Sequence, residues 1–393
     1  MEEKTGFYDR LNQIISFVRD VYIFADSIIT PLGFTTEDNT EAMLAGRSGI
    51  RLIEDEKMSP VPFYASLIDS QLLHNRFSSF GDPKKYTRFE KLAICSIKDA
   101  LSKTDIDLSD SRTLFILSTT KGNVDLLETD PGDERLYLWN TANMVQRYFN
   151  FRNQPVIISD ACISGVQAII TGARMIRAGF FDNAVINGTD IISEFVLSGF
   201  NSFQSLSKGL CRPFDKTRDG LSLGEGSGTI ILTADPSLCG KIRIEAGEGF
   251  STNDANHISG PSRTGEGLFL AISRILKKTP IAIDFISAHG TATSYNDEME
   301  SIAITRAGLQ NVPVNSFKGY WGHTLGASGV IESIMGIYSI RNSILFNTAG
   351  FSEPGVSNPI NIITRSESRE IGNCLKIASG FGGCNAAILF RKK

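Results

Sequence analysis

Three residues in this chain have the types and the surroundings to act on a thioester: Cys162, His289 and His323. Cys162 stands in Ser159-Asp160-Ala161-Cys162-Ile163-Ser164-Gly165, directly after the apolar run Val156-Ile157-Ile158 and at the start of a helical pattern reaching Ala178. A thiol at a helix N-terminus meets unpaired N–H groups and the positive end of the helix dipole. Both are expected to lower its pKa and to offer an oxyanion hole. The chain has four histidines, at 74, 257, 289 and 323. His289 lies in Ala288-His289-Gly290-Thr291 and His323 in Gly322-His323-Thr324, and both read as Gly/Thr-flanked turns after strand-like apolar runs. A free cysteine is most often a small buried hydrophobe, and a lone histidine is usually a satisfied polar residue. A thiol together with two histidines in matching turns points instead to nucleophilic acyl chemistry. Lys318, five residues before His323, is the expected partner of the histidines. Cys95, Cys211, Cys239 and Cys374 lack such a setting and read as structural.

The elements that must position these groups alternate between strand and helix. Strand-like runs fall at Leu114–Leu117, Val156–Ser159, Asn183–Asn187, Gly228–Thr233, Lys241–Ala246, Ile283–Ser287, Pro313–Asn315, Cys374–Ala378 and Ala386–Phe390. Helical patterns fall at Cys162–Ala178, Leu268–Leu276, Glu298–Ala307 and Ser328–Ile340. This predicts an α/β layered fold with a largely buried sheet. Turn residues in Asp235-Pro236-Ser237-Leu238-Cys239-Gly240 divide the chain into two halves, 20–238 and 239–393. Each half places reactive groups just past the C-terminal ends of its strands, where open α/β sheets gather ligands. Residues 1–19 form a separate extension in which Phe7, Leu11, Ile14, Ile15 and Val18 recur at helical spacing.

Composition narrows the function. A net charge of −4 argues against a nucleic-acid partner. No apolar run approaches the ~20 residues of a membrane-spanning helix. Met1-Glu2-Glu3-Lys4 lacks the basic segment of a secretory signal, so a cytoplasmic location is expected. The six cysteines form no CxxC pair, so reduced thiols are expected and a structural zinc site is not. Gly224-x-Gly226-x-Gly228 does not complete a dinucleotide fingerprint, and it precedes a strand rather than joining a strand to a helix. Asn187-Gly188-Thr189 is a glycosylation sequon in spelling only.

From about residue 20 onward the chain resembles the β-ketoacyl-acyl carrier protein synthases, most nearly the elongating Cys-His-His class. The resemblance rests on ordered motifs: Thr30-Pro31-Leu32-Gly33, Leu44 to Ile50, Cys211-Arg212-Pro213-Phe214-Asp215 to Gly220, Leu223 to Gly228, His289-Gly290-Thr291-Ala292-Thr293 with Asp297, Lys318 through His323 to Glu332, and Gly380-Phe381-Gly382-Gly383-Cys384-Asn385. It implies a thiolase-like fold, two similar βα halves forming a layered αβαβα structure. It also implies decarboxylative condensation of a Cys162-bound acyl group with malonyl-carrier protein. In that reading the N–H groups of Cys162 and Phe381 form the oxyanion hole, and Phe381 gates the site. His289 and His323 stabilise the enolate, with Lys318, Glu332 and Asp297 in support. Thr291 and Thr293 contact the phosphopantetheine arm, and Arg212 meets the acyl carrier protein, joined by a basic cluster at Lys84, Lys85, Arg88 and Lys91. No metal or redox cofactor is expected; the substrates ride on phosphopantetheine. The partner subunit is either an identical copy or a related, chain-length-factor-like chain.

The sequence departs from that pattern near the expected acyl pocket. Asp160 and Ile163 flank the nucleophile where small or hydroxyl residues are usual, and Ser379 stands where a bulky aromatic is usual. These departures suggest specialised acyl chains such as polyenes. Two other readings compete. A CoA-dependent thiolase would need a second reactive cysteine, for which Cys384 is a candidate by position. A chain-length-factor-like protein would lack the nucleophile, which is intact here.

Overall fold

The computed structural model describes residues 19–393. The helical spacing read between Phe7 and Val18 lies outside the described residues. Ten strands carry the fold: β1 (Tyr22–Ile29), β2 (Thr113–Ser118), β3 (Val156–Ile158), β4 (Asn183–Asp190), β5 (Gly226–Thr233), β6 (Ile244–Asn253), β7 (Phe285–Ser287), β8 (Val314–Asn315), β9 (Asn373–Gly380) and β10 (Cys384–Lys392). They form one sheet in the order β8-β7-β9-β10-β6-β1-β5-β4-β2-β3. Read outward from the centre, the two sides repeat: β1-β5-β4-β2-β3 and β6-β10-β9-β7-β8. In each, the second-listed strand is antiparallel to its neighbours and the last three are parallel. At the centre β1 meets β6 through Tyr22 and Glu245.

Helices α1 (Arg88–Leu101), α2 (Leu138–Phe149), α3 (Ser164–Arg177), α5 (Glu266–Lys278), α6 (Ser294–Arg306) and α7 (Ser328–Asn342) pack on the sheet, whereas α4 (Glu194–Ser202) packs on the short strands Phe63–Ser66 and Leu223–Gly224. Three apolar clusters define the layers. One joins α1 and α2 to the outer face of β1, β2, β4 and β5. A second joins α5 and α6 to the outer face of β7, β9 and β10. The third and largest lies between the half-sheets and contains Val166, Ile169 and Ala173 of α3 with Val330, Ile331 and Ile334 of α7. The result is the expected αβαβα sandwich, a thiolase-like fold. With both faces covered, β2 is buried at every position, and its near-continuous apolar run follows from that. α7 is buried almost all round, so it shows no polar stripe. The outer α1 has one, and starts with a capping box between Thr87 and Glu90.

Two glycines let the central helices meet. A Cβ on Gly165 would lie 2.6 Å from the Val330 nitrogen, and one on Gly329 would lie 2.4 Å from the Val166 nitrogen. The N-terminal ends of α3 and α7 therefore touch, and the loops that precede them, carrying Cys162 and His323, converge on one point.

Candidate active site

Cys162 sits on a tight turn between β3 and α3. Ala161 adopts φ 43°, a region that costs a residue with a side chain. The Ser164 hydroxyl holds the turn, accepting from the Asp160 N–H at 2.7 Å and donating to the Ala161 carbonyl at 2.6 Å. The helix begins at Ser164, two residues later than the sequence pattern suggested. Cys162 is 7% exposed. The expected drop in its pKa does not occur: burial pushes the thiol up to about 11, against smaller opposing effects from Lys318 and the Phe381 N–H. Desolvation of the thiolate is the larger effect, because the sulfur is almost closed off from water. The end of β9 runs close alongside, so that a Cβ on Gly380 would lie 3.0 Å from the Cys162 nitrogen.

His289 follows β7 as expected. Its loop is held by two carboxylates of α6. Glu300 accepts from the N–H groups of His289 at 2.7 Å and Gly290 at 2.6 Å, and Asp297 accepts from those of Thr291 at 2.9 Å and Phe214 at 2.6 Å. Burial, reinforced by Asp297, raises the Glu300 carboxyl to about 7. Lys318, fully buried, donates to Glu332 Oε1 at 2.6 Å and to the His289 carbonyl at 2.6 Å, and lies 3.2 Å from His289 Nδ1. An ammonium has only donors, so Nδ1 accepts and the imidazole proton resides on Nε2.

His323 does not follow a strand. The apolar run before it forms a helical turn, Lys318–Trp321, and Gly322 at φ 71° ends that turn. The His323 backbone is instead clamped by the chain ahead of β5: its N–H donates to the Ser222 carbonyl at 2.8 Å, and its carbonyl accepts from the Gly224 N–H at 3.0 Å. A Cβ on Gly224 would lie 1.9 Å from the Trp321 oxygen, so the glycine-rich stretch serves this close approach. His323 Nδ1 accepts from the Leu325 N–H at 3.3 Å and pairs with the Ser328 hydroxyl at 2.9 Å. A backbone N–H can only donate, so here too the proton resides on Nε2. That nitrogen is buried and has no partner among the described residues.

The two imidazole centroids are 5.1 Å apart, and one nitrogen of each lies with the Cys162 sulfur inside a 4.8 Å group. Burial, then Lys318, pushes both histidines well below the usual range, so both are neutral at pH 7. Such a trio could in principle ligate a soft cation. Ligation would displace the Cys162 proton. A cavity of about 720 Å³ opens onto the three groups, and Thr291, Thr293, Ser379 and Phe381 share its wall. The hydroxyls of Thr291 and Thr293 are 2.9 Å apart. The Cys384 thiol donates to the Phe381 carbonyl at 3.3 Å, which gives it a structural occupation.

A sequence profile described as the β-ketoacyl synthase N-terminal domain matches residues 18–236, and one described as the C-terminal domain matches residues 245–352. The chain belongs to the β-ketoacyl synthase family. It is a condensing enzyme of the acyltransferase type. Among its relatives are the 3-oxoacyl-[acyl-carrier-protein] synthases 2 of Vibrio cholerae and a Synechocystis strain, each 29% identical. The first alignment covers 95% of this chain and 99% of that protein; the second covers 93% and 96%. The structure titled the ishigamide ketosynthase/chain length factor superposes with a TM-score of 0.86 at 23% identity, covering 95% of this chain and 99% of that one. A ketosynthase in complex with its chain length factor from Xenorhabdus doucetiae superposes with a TM-score of 0.83 at 26% identity, covering 95% and 98%.

Within this synthase some expected residues stand apart from the cavity. Ile163 is fully buried in the central core and Arg212 is half-buried; neither lines the cavity wall. Arg88 is not a free member of a basic cluster. It donates to both Glu225 oxygens, at 3.1 and 2.6 Å, because Glu225 is buried and needs a cation. Four residues around the candidate site escaped the sequence reading. Glu300 braces the His289 loop, Lys376 shares Glu332 with Lys318, and the rings of Phe200 and Phe203 lie 5.6 and 5.1 Å from that of Phe381. The three-residue spacing of Asp297 and Glu300 after a His-Gly-Thr turn was the available signal for Glu300.

Proposed function

We propose that this chain is a β-ketoacyl-acyl carrier protein synthase in which Cys162 carries the acyl group and His289 and His323 drive decarboxylation. The observation that carries the reading is the pair of imidazole Nε2–H donors beside one buried thiol. In the first half-reaction the Cys162 sulfur attacks the carbonyl of an acyl-carrier thioester. The C–S bond to pantetheine breaks, and the cysteine proton ends on the departing pantetheine thiol. The N–H groups of Cys162 and Phe381 hold the tetrahedral oxyanion. In the second, the carboxylate of malonyl-carrier protein leaves as CO2 and its electron pair moves into the thioester enolate. Both histidines donate to the enolate oxygen. The enolate carbon attacks the Cys162 thioester, the C–S bond breaks, and the released thiolate takes up a proton from solvent. The product is a 3-oxoacyl-carrier thioester two carbons longer.

The remaining assignments follow from the same reading. Thr291 and Thr293 take the pantetheine arm in the cavity, and Arg212 contributes a cation for an acidic carrier protein. The halves 20–238 and 239–393 supply the nucleophile and the histidines respectively. We assign the reaction to the cytoplasm; among the described residues no helix is long and apolar enough to cross a membrane. Pairing with an identical or chain-length-factor-like subunit would use the outer edge of β3. The neighbouring start of α2 exposes Tyr137 and Trp139, 62% and 55% accessible.

The test is reconstitution with acyl-carrier and malonyl-carrier substrates against the corresponding CoA esters. CO2 release and a 3-oxoacyl product from carrier-bound substrates are expected. Turnover confined to CoA esters would favour a thiolase and remove the carrier-protein assignment.

A second prediction concerns chain selection. Ser379 lines the cavity together with Phe381 and donates to Asn385 Oδ1 at 2.8 Å. Phenylalanine there adds far more than one methylene, which alone discriminates by roughly 1–3 kcal/mol. Ser379→Phe is expected to lower kcat/KM for long or rigid acyl chains and to spare acetyl and butyryl groups. An unchanged long-to-short ratio in the folded variant would remove Ser379 from the acyl pocket.

A further inference from the structure

Lys376 is a fully buried cation that the mechanism above does not use. On β9, Cys374 and Ala378 face the central layer and Leu375 and Ile377 the outer one, so Lys376 points at α7. Its ammonium donates to Glu332 Oε2 at 2.6 Å and to the carbonyls of Ser287 at 3.3 Å and Ala288 at 3.1 Å, the two residues that lead into His289. The other oxygen of Glu332 accepts from Lys318, which reaches His289 Nδ1. All three charged side chains are inaccessible to water. Lys318 and Glu332 alone would form a neutral pair. Burial lowers the Lys376 pKa and the Glu332 carboxylate opposes that shift; with Lys376 protonated the group holds two ammonium groups and one carboxylate, hence one net positive charge behind the histidines. Burying an extra charge is costly, and an apolar residue of similar size is often the more stable choice. The charge therefore calls for an explanation other than packing.

We propose that Lys376 is a positioning residue for decarboxylation: it clamps Glu332 and the carbonyls ahead of His289, and its charge makes the Lys318–Glu332 group a net cation that favours negative charge on the enolate oxygen. This rests on the function proposed above. The other titratable groups around the histidines are Cys162, Glu300 and Asp297; Glu300 partly offsets the cation through the backbone N–H groups of His289 and Gly290. Lys376 acts in the same sense as Lys318 on both histidines, holding them below their usual range.

The experiment compares wild type, Lys376→Met and Lys376→Met/Glu332→Gln. It separates Cys162 acylation from malonyl-carrier decarboxylation and follows 13C-labelled histidine signals with pH. Lys376→Met removes one cation, so the buried histidines are expected to titrate at higher pH. Decarboxylation is expected to fall by about tenfold or more, while acylation changes little. The double variant restores one net positive charge and is expected to recover part of the rate. In wild type the two buried histidines should stay neutral at pH 6.5, where an ordinary histidine is half-protonated. That measurement stands even if Lys376→Met does not fold, and ordinary titration there would overturn the proposal. Unshifted histidines with wild-type decarboxylation in Lys376→Met, or equal loss of both half-reactions with no histidine shift, would also overturn it. Wild type that neither acylates nor decarboxylates would instead defeat the underlying functional reading.

Discussion

Cys162→Ala is expected to abolish acyl loading and to cut condensation by about 10³-fold or more, while malonyl-carrier decarboxylation survives. The reason is spatial division of labour. The thiol stands on the turn before α3, and the two N–H donors that would hold an enolate come from the His289 and His323 loops. Removing the sulfur leaves both donors and their supports in place, since Lys318, Glu332 and Ser328 make no use of it. Among the described residues no other thiol lines the cavity; Cys239, half-buried and with its pKa raised by burial, donates to the Ile23 carbonyl at 3.6 Å on the turn between the halves. Cys95, Cys211 and Cys374 are buried, with pKa values pushed up to about 12 by desolvation, and the Cys384 thiol is raised by burial as well. Intact-protein mass spectrometry after incubation with acyl-carrier thioester checks this: wild type gains one acyl mass, located at Cys162, and the variant gains none. A stable acyl adduct on Cys162→Ala would transfer the nucleophile's role elsewhere.

The meeting of Cys162 and His289 at one site was legible in the sequence because each stands at the end of a short apolar run and before small residues. The strand-to-turn geometry leaves that mark wherever a sheet ends at a site. His323 was found by its flanking glycine and threonine, but its setting was misread. The four residues Lys318–Trp321 are too few for strand and helix periods to differ, and only pairing with Ser222 and Gly224 fixes the loop. The bracing residues were hidden for another reason. α6 reads Ser-Tyr-Asn-Asp-Glu-Met-Glu, so Glu300 looks like one more charge on a solvated face, and its burial depends on the His289 loop folding over it. Lys376 breaks an otherwise apolar strand and, by local pattern alone, would mark a water-facing side. It is buried because α7 brings Glu332 across the sheet, a contact 44 residues away in sequence. Cys162 shows the converse limit. Its place before a helix was legible, but the direction of its pKa depended on how tightly the end of β9 closes over it.

His289→Ala and His323→Ala are each expected to slow malonyl-carrier decarboxylation by about 10²–10³-fold, the range seen when one preorganised oxyanion donor is removed. Each should lower the rate of Cys162 acylation far less. The expectation follows from the tautomers. Lys318 fixes the His289 proton on Nε2, and the Leu325 N–H does the same for His323. Both rings therefore arrive as N–H donors that need no rearrangement as charge develops. Neither proton has to move, since the step expels CO2 and transfers no proton to carbon. The pH dependence carries the same information. With both histidines held well below their usual range, neutral donors are expected as the pH is lowered from 8 to 6, and decarboxylation should be level across that interval. A histidine acting as a general base with an ordinary pKa near 6.5 would instead lose rate as the pH falls through that value. Rapid-quench measurement of CO2 release across pH 6–8, for wild type and both variants, separates the two. Wild-type decarboxylation rates in both variants would remove the histidines from the enolate step.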